Sequence, residues 1–452
     1  MRQLREEIIA AVRDAGVVGA GGAGFPTHVK IDARVDTVVA NGAECEPLLR
    51  ADQEIMAKES DKVVAGLAAV MLATGAGRGV IALKRKYAEA AANLAAAIGL
   101  LGDRRLELFF LPDFYPAGDE QVLVYEATRR VVPEGGIPLN VGAVVVNVET
   151  LVNVAEALAG KAVTDKYLTV TGEVAQPLTI RAPVGISARE VIALAGGATV
   201  DDFAIIDGGP LMGKLVALEA VVTKTTGGFI VLPRKHPAIA HKVASWTVIA
   251  NRAKAACCSC RGCTDGCPRY LLGHGLEPHR IMQVIGGGLQ DNAAVTRALL
   301  CSECGACEAY GCTMGLSPRR VIAELKAQLA KAGVKNPHRA EIRQARWERD
   351  YRRIPTKRLV ARLGLEKYDR PAPFSTSPIP DEVRLPLLQH IGVPACPVVR
   401  DGDKVEAGDL VAVIPQGAAV GANLHASIAG EVFTGDGYIG IKARSKAGGM
   451  GW

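Results

Sequence analysis

The chain has 452 residues, which is too long for one ordinary hydrophobic core, so we expect two to four domains. Apolar residues make up 49% of the sequence and charged residues 22%, a balance that is typical of globular proteins and excludes a largely disordered chain. The net charge of +6 is modest, and the basic run at 352–362 has no aromatic stacking platform beside it. The composition therefore predicts no nucleic-acid binding, and the absence of a long apolar window or a secretory leader predicts a cytoplasmic chain with no transmembrane segment.

The first 160 residues alternate between helical and strand patterns. Residues 2–15 place apolar side chains on one helical stripe that runs directly into a glycine-rich loop. The pattern then predicts a short strand before the turn NGAECEP, a helix at 53–74, a strand at 79–85, a helix at 87–98 and a strand at 106–112. This alternation is typical of an α/β layer around a largely parallel sheet.

The glycine-rich stretch GAGGAGFPTHVK matches the dinucleotide-binding pattern G-x-G-x-x-G at Gly19, Gly21 and Gly24. A Rossmann loop follows a strand, whereas this one follows a helix, so the context does not fit that motif. With Gly22, these glycines let backbone N–H groups approach a phosphate, and Lys30 adds a positive charge. The stretch therefore predicts an anion-binding loop.

Three later turns carry polar side chains that could hydrogen-bond a flavin ring or a ribose. For any one of them alone, a role as a turn or capping residue is the simpler interpretation. They occur in NGAECEP, YPAGDE and NVET, and the candidates are Asn41, Glu44, Asp119, Glu120, Asn147, Glu149 and Thr150.

The composition changes near residue 161. Residues 161–235 have the strands, turns and single helix of a small α+β module. Residues 236–345 hold most of the cysteines among helical segments, and 346–378 are basic and then proline-rich, as in a linker. Residues 379–452 consist of short strands between Gly-Asp turns, which predicts a compact all-β module.

Nine of the eleven cysteines fall in two dense groups, and eight of these nine have the spacing of cluster ligands. The first, CCSCRGCTDGCP, has the C-x2-C-x2-C-x3-C-P spacing of bacterial ferredoxins, and its ligand candidates are Cys257, Cys260, Cys263 and Cys267. The second, CSECGACEAYGCTMG, departs from it by a four-residue last gap and by Thr313 in place of proline, and its candidates are Cys301, Cys304, Cys307 and Cys312.

In two-cluster ferredoxins the fourth cysteine of each group ligates the other cluster. That rule predicts one cluster on Cys257, Cys260, Cys263 and Cys312, and a second on Cys301, Cys304, Cys307 and Cys267. A pair of zinc sites is the alternative, but four-cysteine zinc sites usually combine two C-x2-C pairs. The spacing therefore favours two 4Fe-4S clusters.

Taken in order, GAGGAGFPT, NGAECEP, YPAGDE and NVET resemble the NADH-binding flavoprotein subunit of respiratory complex I. The resemblance implies FMN in a Rossmann-like domain at 1–160, with its phosphate on the glycine loop and NADH over the flavin. Residues 161–235 resemble the ubiquitin-like SLBB domain that follows it there. Two ferredoxin-like groups at 236–345 resemble the RnfC component of the Rnf complex, whose barrel-sandwich hybrid precedes the flavin domain, whereas here a similar module lies at 379–452.

This domain order, with the four-residue gap, resembles the cobalamin reductases of propanediol-utilization microcompartments. The resemblance implies a multidomain α/β oxidoreductase that passes electrons from NADH through FMN and two 4Fe-4S clusters to cobalamin. It also implies an adenosyltransferase and microcompartment shell or lumen proteins as partners, and a place within a bacterial microcompartment. The hydride step needs no general acid or base, so no catalytic residue is predicted.

Three alternatives remain open at this stage. The first is an Rnf-like electron-transport protein that works between ferredoxin and NAD, and the second is a microcompartment NADH dehydrogenase that does not act on cobalamin. The third is a zinc-containing scaffold without enzymatic activity. The sequence does not distinguish a monomer from a homo-oligomer, and it identifies no corrin site; four histidines are only nominal cobalt ligands, namely His274, His279, His390 and His425.

Overall fold

A computed structural model describes residues 2–288 and 290–444. The remaining part of the predicted C-terminal module, 445–452, lies outside the described residues. Among the described residues, no helix combines the length and the apolar character needed to cross a membrane.

The N-terminal part is an α/β layer, as the alternating pattern predicts. Its strands are β1 (Thr37–Gly42), β2 (Arg78–Lys84), β3 (Leu106–Leu111), the short β4 (Phe114–Tyr115) and β5 (Ala143–Asn147). Its helices are α1 (Arg2–Asp14), α2 (Thr27–Ile31), α3 (Ala51–Lys58), α4 (Ser60–Thr74), α5 (Ala88–Leu101), α6 (Glu120–Thr128) and α7 (Val148–Leu158), with a 3-10 turn at Pro138–Val141.

The single helix predicted at 53–74 is two helices in the structure. Glu59 lies between α3 and α4 with φ −122° and ψ 30°, outside the helical region. Its carboxylate accepts a hydrogen bond from the Tyr167 hydroxyl at 3.0 Å and pairs with Lys62 at 2.7 Å. These contacts give the break a tertiary cause that the apolar pattern does not contain.

The main sheet is parallel and has the strand order β3-β2-β1-β5. β2 lies beside β1 and β3 lies beside β2, whereas β5 lies on the opposite side of β1. The carboxyl ends of β1 and β5 are adjacent, with Asn41 opposite Asn147. In open α/β sheets, ligands bind at the point where the strand order reverses, so this edge positions a site.

The second part contains β6 (Asp165–Gly172), β7 (Leu178–Pro183), α8 (Ala188–Leu194), β8 (Phe203–Asp207), β9 (Lys214–Val216) and β10 (Gly228–Pro233). A capping box starts α8, because Ser187 accepts from the Glu190 N–H while the Glu190 carboxylate accepts from the Ser187 N–H. The apolar face of the helix packs on this mixed sheet through Val191 and Ile192.

The cysteine-rich part is helical. It comprises α9 (Pro237–Val243), α10 (Trp246–Ala256), α11 (Gly262–Asp265), α12 (Pro268–Leu271), α13 (Pro278–Gly287), α14 (Asn292–Arg297) and α15 (Pro318–Lys331), with a 3-10 turn at Ala298–Leu300 and a π-helical turn at Cys307–Gly311. Its apolar core includes Ile281, Val321 and Ile322.

The connecting segment predicted as a linker at 346–378 carries structure of its own. It contains 3-10 turns at Trp347–Tyr351 and Glu366–Tyr368, the strand β11 (Ile354–Pro355), the helix α16 (Thr356–Arg362) and the strand β12 (Phe374–Thr376). β11 pairs with β4 in the first part, and β12 completes the sheet β12-β7-β6-β10-β8-β9 of the second. The segment is therefore docked along its length rather than a free tether.

The C-terminal part is an all-β module with two antiparallel sheets, β13-β19-β18-β15 and β14-β16-β17. Leu385, Val411 and Ile439 are among the side chains buried between them, with Val184 of the second part. The strands are β13 (Glu382–Pro386), β14 (Cys396–Pro397), β15 (Lys404–Val405), β16 (Leu410–Val413), β17 (Leu424–His425), β18 (Gly430–Gly435) and β19 (Tyr438–Ala443).

Candidate functional site

The glycine loop lies over the amino end of α7, at the edge where the strand order reverses. An isolated bridge between Val18 and Pro26 closes the loop. The Ala20 N–H donates to the buried Thr150 hydroxyl at 2.9 Å. A Cβ added to Gly21 would lie 3.3 Å from the Cβ of Asn147, whereas one added to Gly22, at φ +104°, would meet nothing within 4 Å. The missing side chain at Gly21 thus allows the loop to lie close to Asn147, whereas Gly22 faces open space.

The start of α7 brings the positive end of a helix dipole to this crevice. Asn147 caps the helix by accepting from the Glu149 N–H at 2.9 Å. Backbone N–H groups at a helix start, together with the helix dipole, favour a bound anion. The loop and the helix start therefore form a cradle that fits a phosphate group.

Two carboxyl groups lie on the other side of Asn147. The Asn147 amide donates to both Asp52 oxygens, at 3.0 and 3.1 Å. Burial raises the pKa of Asp52 well above its usual range, and the nearby Glu44 carboxylate raises it further. Burial also raises the pKa of Glu44 to about 7, against the opposing effects of the Asp52 backbone N–H and of Lys84. This pair of acids titrates together, and part of it is protonated near neutral pH.

The rim of the crevice is formed by the turns NGAECEP and YPAGDE. The Asn41 amide donates to the Gly118 carbonyl at 2.9 Å and its oxygen accepts from the Ala43 N–H at 3.2 Å. Lys30 and Glu120 form a partly exposed ion pair at 2.8 Å. The polar residues predicted from three separate turns are thus brought to one edge of the sheet.

In space the thiols form two groups that differ from the two sequence groups by the exchange of Cys267 and Cys312. The first group of thiols in this sense consists of Cys257, Cys260, Cys263 and Cys312. Burial raises the pKa of the Cys263 thiol to about 12, and the other three thiols raise it further, so the four lie close together. Gly262 brings the two segments into contact, because a Cβ there would lie 2.5 Å from the Gly311 carbonyl oxygen. The extra residue of the four-residue gap is accommodated in the π-helical turn before Cys312.

The second group lines a cavity in the helical part. Burial raises the pKa of the Cys307 thiol, and its three neighbouring thiols contribute in the same direction. The Glu303 N–H points at the Cys301 sulfur, at 3.2 Å. Within the described residues, no three His, Cys, Asp or Glu side chains converge on the position of a single ion. The cavity is lined by Cys267, Cys301, Cys304 and Cys307, with Arg269 and Arg319.

This donor set fits iron–sulfur clusters. Buried thiols with raised pKa values are poor anions on their own, but iron stabilises them as thiolates. The Nε atom of Arg319 is buried and has no hydrogen-bond partner among the described residues. An anionic cluster in the cavity would supply the acceptor that this guanidinium lacks.

One apolar cluster joins the crevice to the second group of thiols. Tyr115, Leu211 and Cys304 are buried in it, and Cys45 of the NGAECEP turn packs against it. The Tyr115 hydroxyl donates to the Cys304 carbonyl. The N–H groups of Leu211 and Met212 both donate to Glu46 of the same turn, at 2.9 Å. The crevice and the second group are therefore neighbours across one layer of side chains.

Comparison with known families divides the chain into the same parts as the structure. The Nuo51 FMN-binding domain family matches residues 12–156, the SLBB domain family 167–215, the 4Fe-4S dicluster family 256–317 and the RnfC barrel sandwich hybrid family 365–440. The cobalamin reductases PduS of Citrobacter freundii and Salmonella typhimurium are each 45% identical to this chain. The alignments cover 93% of this chain and 93% of the Citrobacter protein, and 94% of both chains for Salmonella.

The chain belongs to the PduS family of cobalamin reductases. A partial relative is a component of the Na(+)-translocating ferredoxin:NAD(+) oxidoreductase complex of Acetobacterium woodii, which is 38% identical over 58% of this chain and 57% of its own. The PduS family thus shares part of its chain with the ion-translocating complexes, as predicted from the two cysteine groups.

Three predicted flavin-site residues have protein partners in this PduS-family chain. Glu149 pairs with Lys166 and accepts from the Tyr167 N–H at 3.0 Å, with both side chains of the ion pair buried. Asp119 caps α6 and pairs with Arg269 at 2.6 Å. Gly24, at φ +67°, lies against Thr225 and His390, so it faces the second part and the C-terminal module.

Two charged residues of the crevice were missing from the sequence prediction. Asp52 follows the NGAECEP turn and lies in the first turn of α3, and Lys84 ends β2 with only 2% of its side chain exposed, paired with Asp113 at 3.0 Å. A lysine at the carboxyl end of a buried parallel strand is a pattern that could have identified Lys84. For Asp52 no comparable pattern exists in the sequence.

The four histidines considered as nominal cobalt ligands have other environments in this PduS-family chain. His274 contacts the Val132 carbonyl at 3.0 Å, and His279 contacts the Thr264 hydroxyl at 2.8 Å. His390 accepts from the Ala422 N–H at 3.1 Å. Burial lowers the pKa of His425 to about 4.

Proposed function

We propose that this chain oxidises NADH and reduces cobalamin, using FMN in the crevice between β1 and β5 and a 4Fe-4S cluster on each group of thiols. The observation that carries the proposal is the shared apolar cluster of Tyr115, Leu211 and Cys304, which places the crevice next to the second group of thiols. Flavin is the cofactor that connects a two-electron hydride donor to one-electron clusters.

The residues of the crevice bind and orient the flavin nucleotide. Backbone N–H groups of Gly21 and Gly22, with the start of α7, would hold its phosphate. Gly19, whose N–H donates to the Phe25 carbonyl at 2.9 Å, and Thr150 would keep the loop in place. Residues of the rim would contact the flavin ring, the ribose or the nicotinamide nucleotide. Glu149 and Gly24 would stabilise the crevice through their contacts with other parts of the protein. The remaining members of the proposed site are Lys30, Asn41, Glu44, Asp119, Glu120 and Asn147.

The thiols are assigned to two clusters in the crossed arrangement. Cys257, Cys260, Cys263 and Cys312 would hold the cluster nearer the surface, because Cys260 is exposed. The other four thiols would hold the buried cluster beside the crevice, namely Cys267, Cys301, Cys304 and Cys307.

Cobalamin is the proposed acceptor because the relatives that match nearly the whole chain are named cobalamin reductases. The same relationship supports a place in a propanediol-utilization microcompartment of the bacterial cytoplasm. An adenosyltransferase that receives reduced cobalamin, and shell or lumen proteins that retain the chain, are the expected partners. Self-association would be tested separately by sedimentation.

The test is anaerobic reduction of the reconstituted full-length protein. NADH should bleach the flavin and cluster absorbance, and added hydroxocobalamin should then give the cob(II)alamin spectrum. A filtrate from the same sample must be inactive, which excludes free flavin as the carrier. Cys304→Ser should retain FMN and lose the corrin reduction, whereas Cys396→Ser, an exposed cysteine of the C-terminal module, should behave as the wild type. Failure of NADH to bleach the wild type would refute the oxidoreductase proposal.

A second candidate is electron transfer between NADH and ferredoxin, favoured by the 38% identity to the Acetobacterium protein. Bleaching by NADH, followed by reduction of ferredoxin but not of hydroxocobalamin, would support it. Bleaching with neither acceptor reduced would point to a microcompartment NADH dehydrogenase with another acceptor.

A further inference from the structure

The cavity of the second group of thiols has a positively charged wall. Arg269 and Arg319 line it together with the four cysteines. Arg269 follows Cys267 by two positions, and Arg319 lies in the first turn of α15. Side chains from two separate elements thus line the cavity that the four cysteines share.

Arg269 is fixed by a buried ion pair. Its side chain is 9% exposed and that of Asp119 is 8% exposed, with 2.6 Å between Nη1 and Oδ1. Asp119 also accepts from the N–H groups of Gln121 and Val122 at the start of α6. The Arg269 charge and its backbone N–H both lower the pKa of the Cys267 thiol, although burial raises it more. Arg269 therefore stabilises negative charge on this sulfur.

Arg319 lines the same cavity from the start of α15. Its Nη1 donates to the Leu211 carbonyl at 3.0 Å, and its Nε is buried without a partner among the described residues. One edge of the guanidinium is therefore anchored and another has an unused donor.

The first group of thiols has a different environment. Apart from burial and a backbone hydrogen bond, the groups that act most strongly on the Cys263 thiol are the thiols of Cys257, Cys260 and Cys312. Within the part of the chain that the structure describes, no arginine or lysine is among these main contributors. Arg362 contacts this group, but its Nη2 donates to the Cys312 carbonyl oxygen at 3.3 Å and not to a sulfur.

We propose that Arg269 and Arg319 are positioning residues that raise the reduction potential of the buried cluster, and that Asp119 holds Arg269 in place for this role. Reduction adds one electron and no proton to the cluster, so its net negative charge grows by one. A fixed cation in a low-dielectric cavity stabilises that extra charge, and hydrogen bonds to cluster sulfur act in the same direction. The inference rests on the proposed function, because it requires the cluster.

The test is a redox titration of the anaerobic, reconstituted full-length protein, followed by electron paramagnetic resonance. Arg319→Gln should shift the midpoint of one cluster to a more negative potential and leave the other unchanged, whereas Arg319→Lys should give a smaller shift. Arg269→Gln alone would leave Asp119 buried and unpaired, so it is combined with Asp119→Asn. Because this double variant removes a carboxylate as well as a cation beside the thiols, it should shift the same midpoint in the same direction but by less than Arg319→Gln. Arg189→Gln, on an exposed side chain of α8, is the control.

Two results would overturn the inference, and they are distinguishable. If the wild type binds FMN and shows two cluster signals, but both variants keep its midpoints, the role of the arginines is wrong and the proposed function stands. If the wild type assembles no cluster, the proposed function itself fails. Each variant is also assayed for iron and sulfide content, which separates a shifted potential from a lost cluster.

Discussion

At the scale of single residues, the Thr150 hydroxyl is the contact that fixes the glycine loop. It accepts from the Ala20 N–H at 2.9 Å and is 1% exposed. Thr150→Val keeps the shape but leaves this N–H without its acceptor, at a cost of about 1–3 kcal/mol. We expect FMN affinity to fall by about tenfold or more in a fluorescence titration. Thr199→Val, at a hydroxyl that contacts only Glu173 among the described residues, is the matched control and should bind FMN normally.

Glu44 gives the protein a pH dependence near neutrality. Its pKa is raised to about 7 in the folded chain from a usual value of 4.5, so the folded state binds the proton more tightly than the unfolded state. Its contribution to stability is therefore greatest at low pH and is lost as the pH rises from about 4.5 through 7. Glu44→Gln should show a smaller decrease in thermal midpoint from pH 5 to pH 8 than the wild type.

The control for Glu44 is Glu341→Gln, at an exposed position. Its thermal midpoint should decrease from pH 5 to pH 8 as much as that of the wild type, measured by circular dichroism on the flavin-free protein. An identical decrease in Glu44→Gln and the wild type would show that Glu44 is ionised throughout this range.

The chemistry of these residues was partly visible in the sequence. Cysteine spacing alone predicted which eight thiols to consider and how the two groups cross, because ligand geometry depends on short local gaps. The raised pKa values of Glu44 and Asp52 could not be predicted, because they come from burial between strands and helices that are distant in sequence.

At the scale of elements, the start of α7 combines a helix cap with a carboxyl pair. Asn147→Asp retains a capping oxygen but replaces the amide that donates to both Asp52 oxygens with a third acid. We expect destabilisation by about 1–3 kcal/mol at pH 8, because the donor is lost and like charges are adjacent. At pH 5 the destabilisation should be smaller, since protonation of these carboxyl groups relieves their mutual repulsion. Chemical denaturation at both pH values measures it.

The matched control lies at another helix start. Asn292 is exposed and is the first residue of α14, where an added negative charge is favourable or neutral. Asn292→Asp should not destabilise the chain at either pH. Equal losses in the two variants would show that the Asp52 pair does not cause the effect.

Element types were predicted better than element boundaries. The strand pattern at 79–85 and 106–112 predicted β2 and β3 closely, because Val, Ile, Leu and Phe runs identify buried strands. The π-helical turn at Cys307–Gly311 has no periodic signature, and the break at Glu59 depends on Tyr167. Both are tertiary features.

At the scale of the whole molecule, Lys224 joins three parts of the chain. It is 3% exposed, and its ammonium donates to the carbonyls of Gly16 and Asn423 at 2.7 and 2.8 Å. Its backbone N–H donates to the Gln389 side chain at 3.0 Å, next to the Ile391 N–H that donates to Gly24. Both ends of the glycine loop are thus tied to the second part and the C-terminal module.

This junction predicts a second pH effect, of opposite sign to that of Glu44. Burial lowers the pKa of Lys224 from 10.5 to about 7, so between these values the unfolded state binds more protons and stability rises with pH. Lys224→Met should lose this rise between pH 7.5 and 9.5, measured as the change in thermal midpoint. Lys404→Met, at an exposed lysine, should keep it. If the thermal midpoint of Lys224→Met rises with pH as much as that of the wild type, groups other than Lys224 cause the rise.

Domain order was predictable from composition and motifs, but the contacts between the parts were not. Nothing in the sequence pairs Asp119 with Arg269, or Glu126 with Arg349 and Arg353, because these partners come from segments 150 residues or more apart. The segment at 346–378 has the composition of a linker, and only the structure shows that β12 extends the sheet of the second part and that β11 pairs with β4.

The late position of β11 and β12 has a consequence for biosynthesis. The edges of β4 and β7 find their partners only when residues 354–376 have left the ribosome, after both groups of cysteines have emerged. Until then β4 lacks β11 and β7 lacks β12, so strand pairing in the first two parts is completed only after both groups of cysteines have been synthesised.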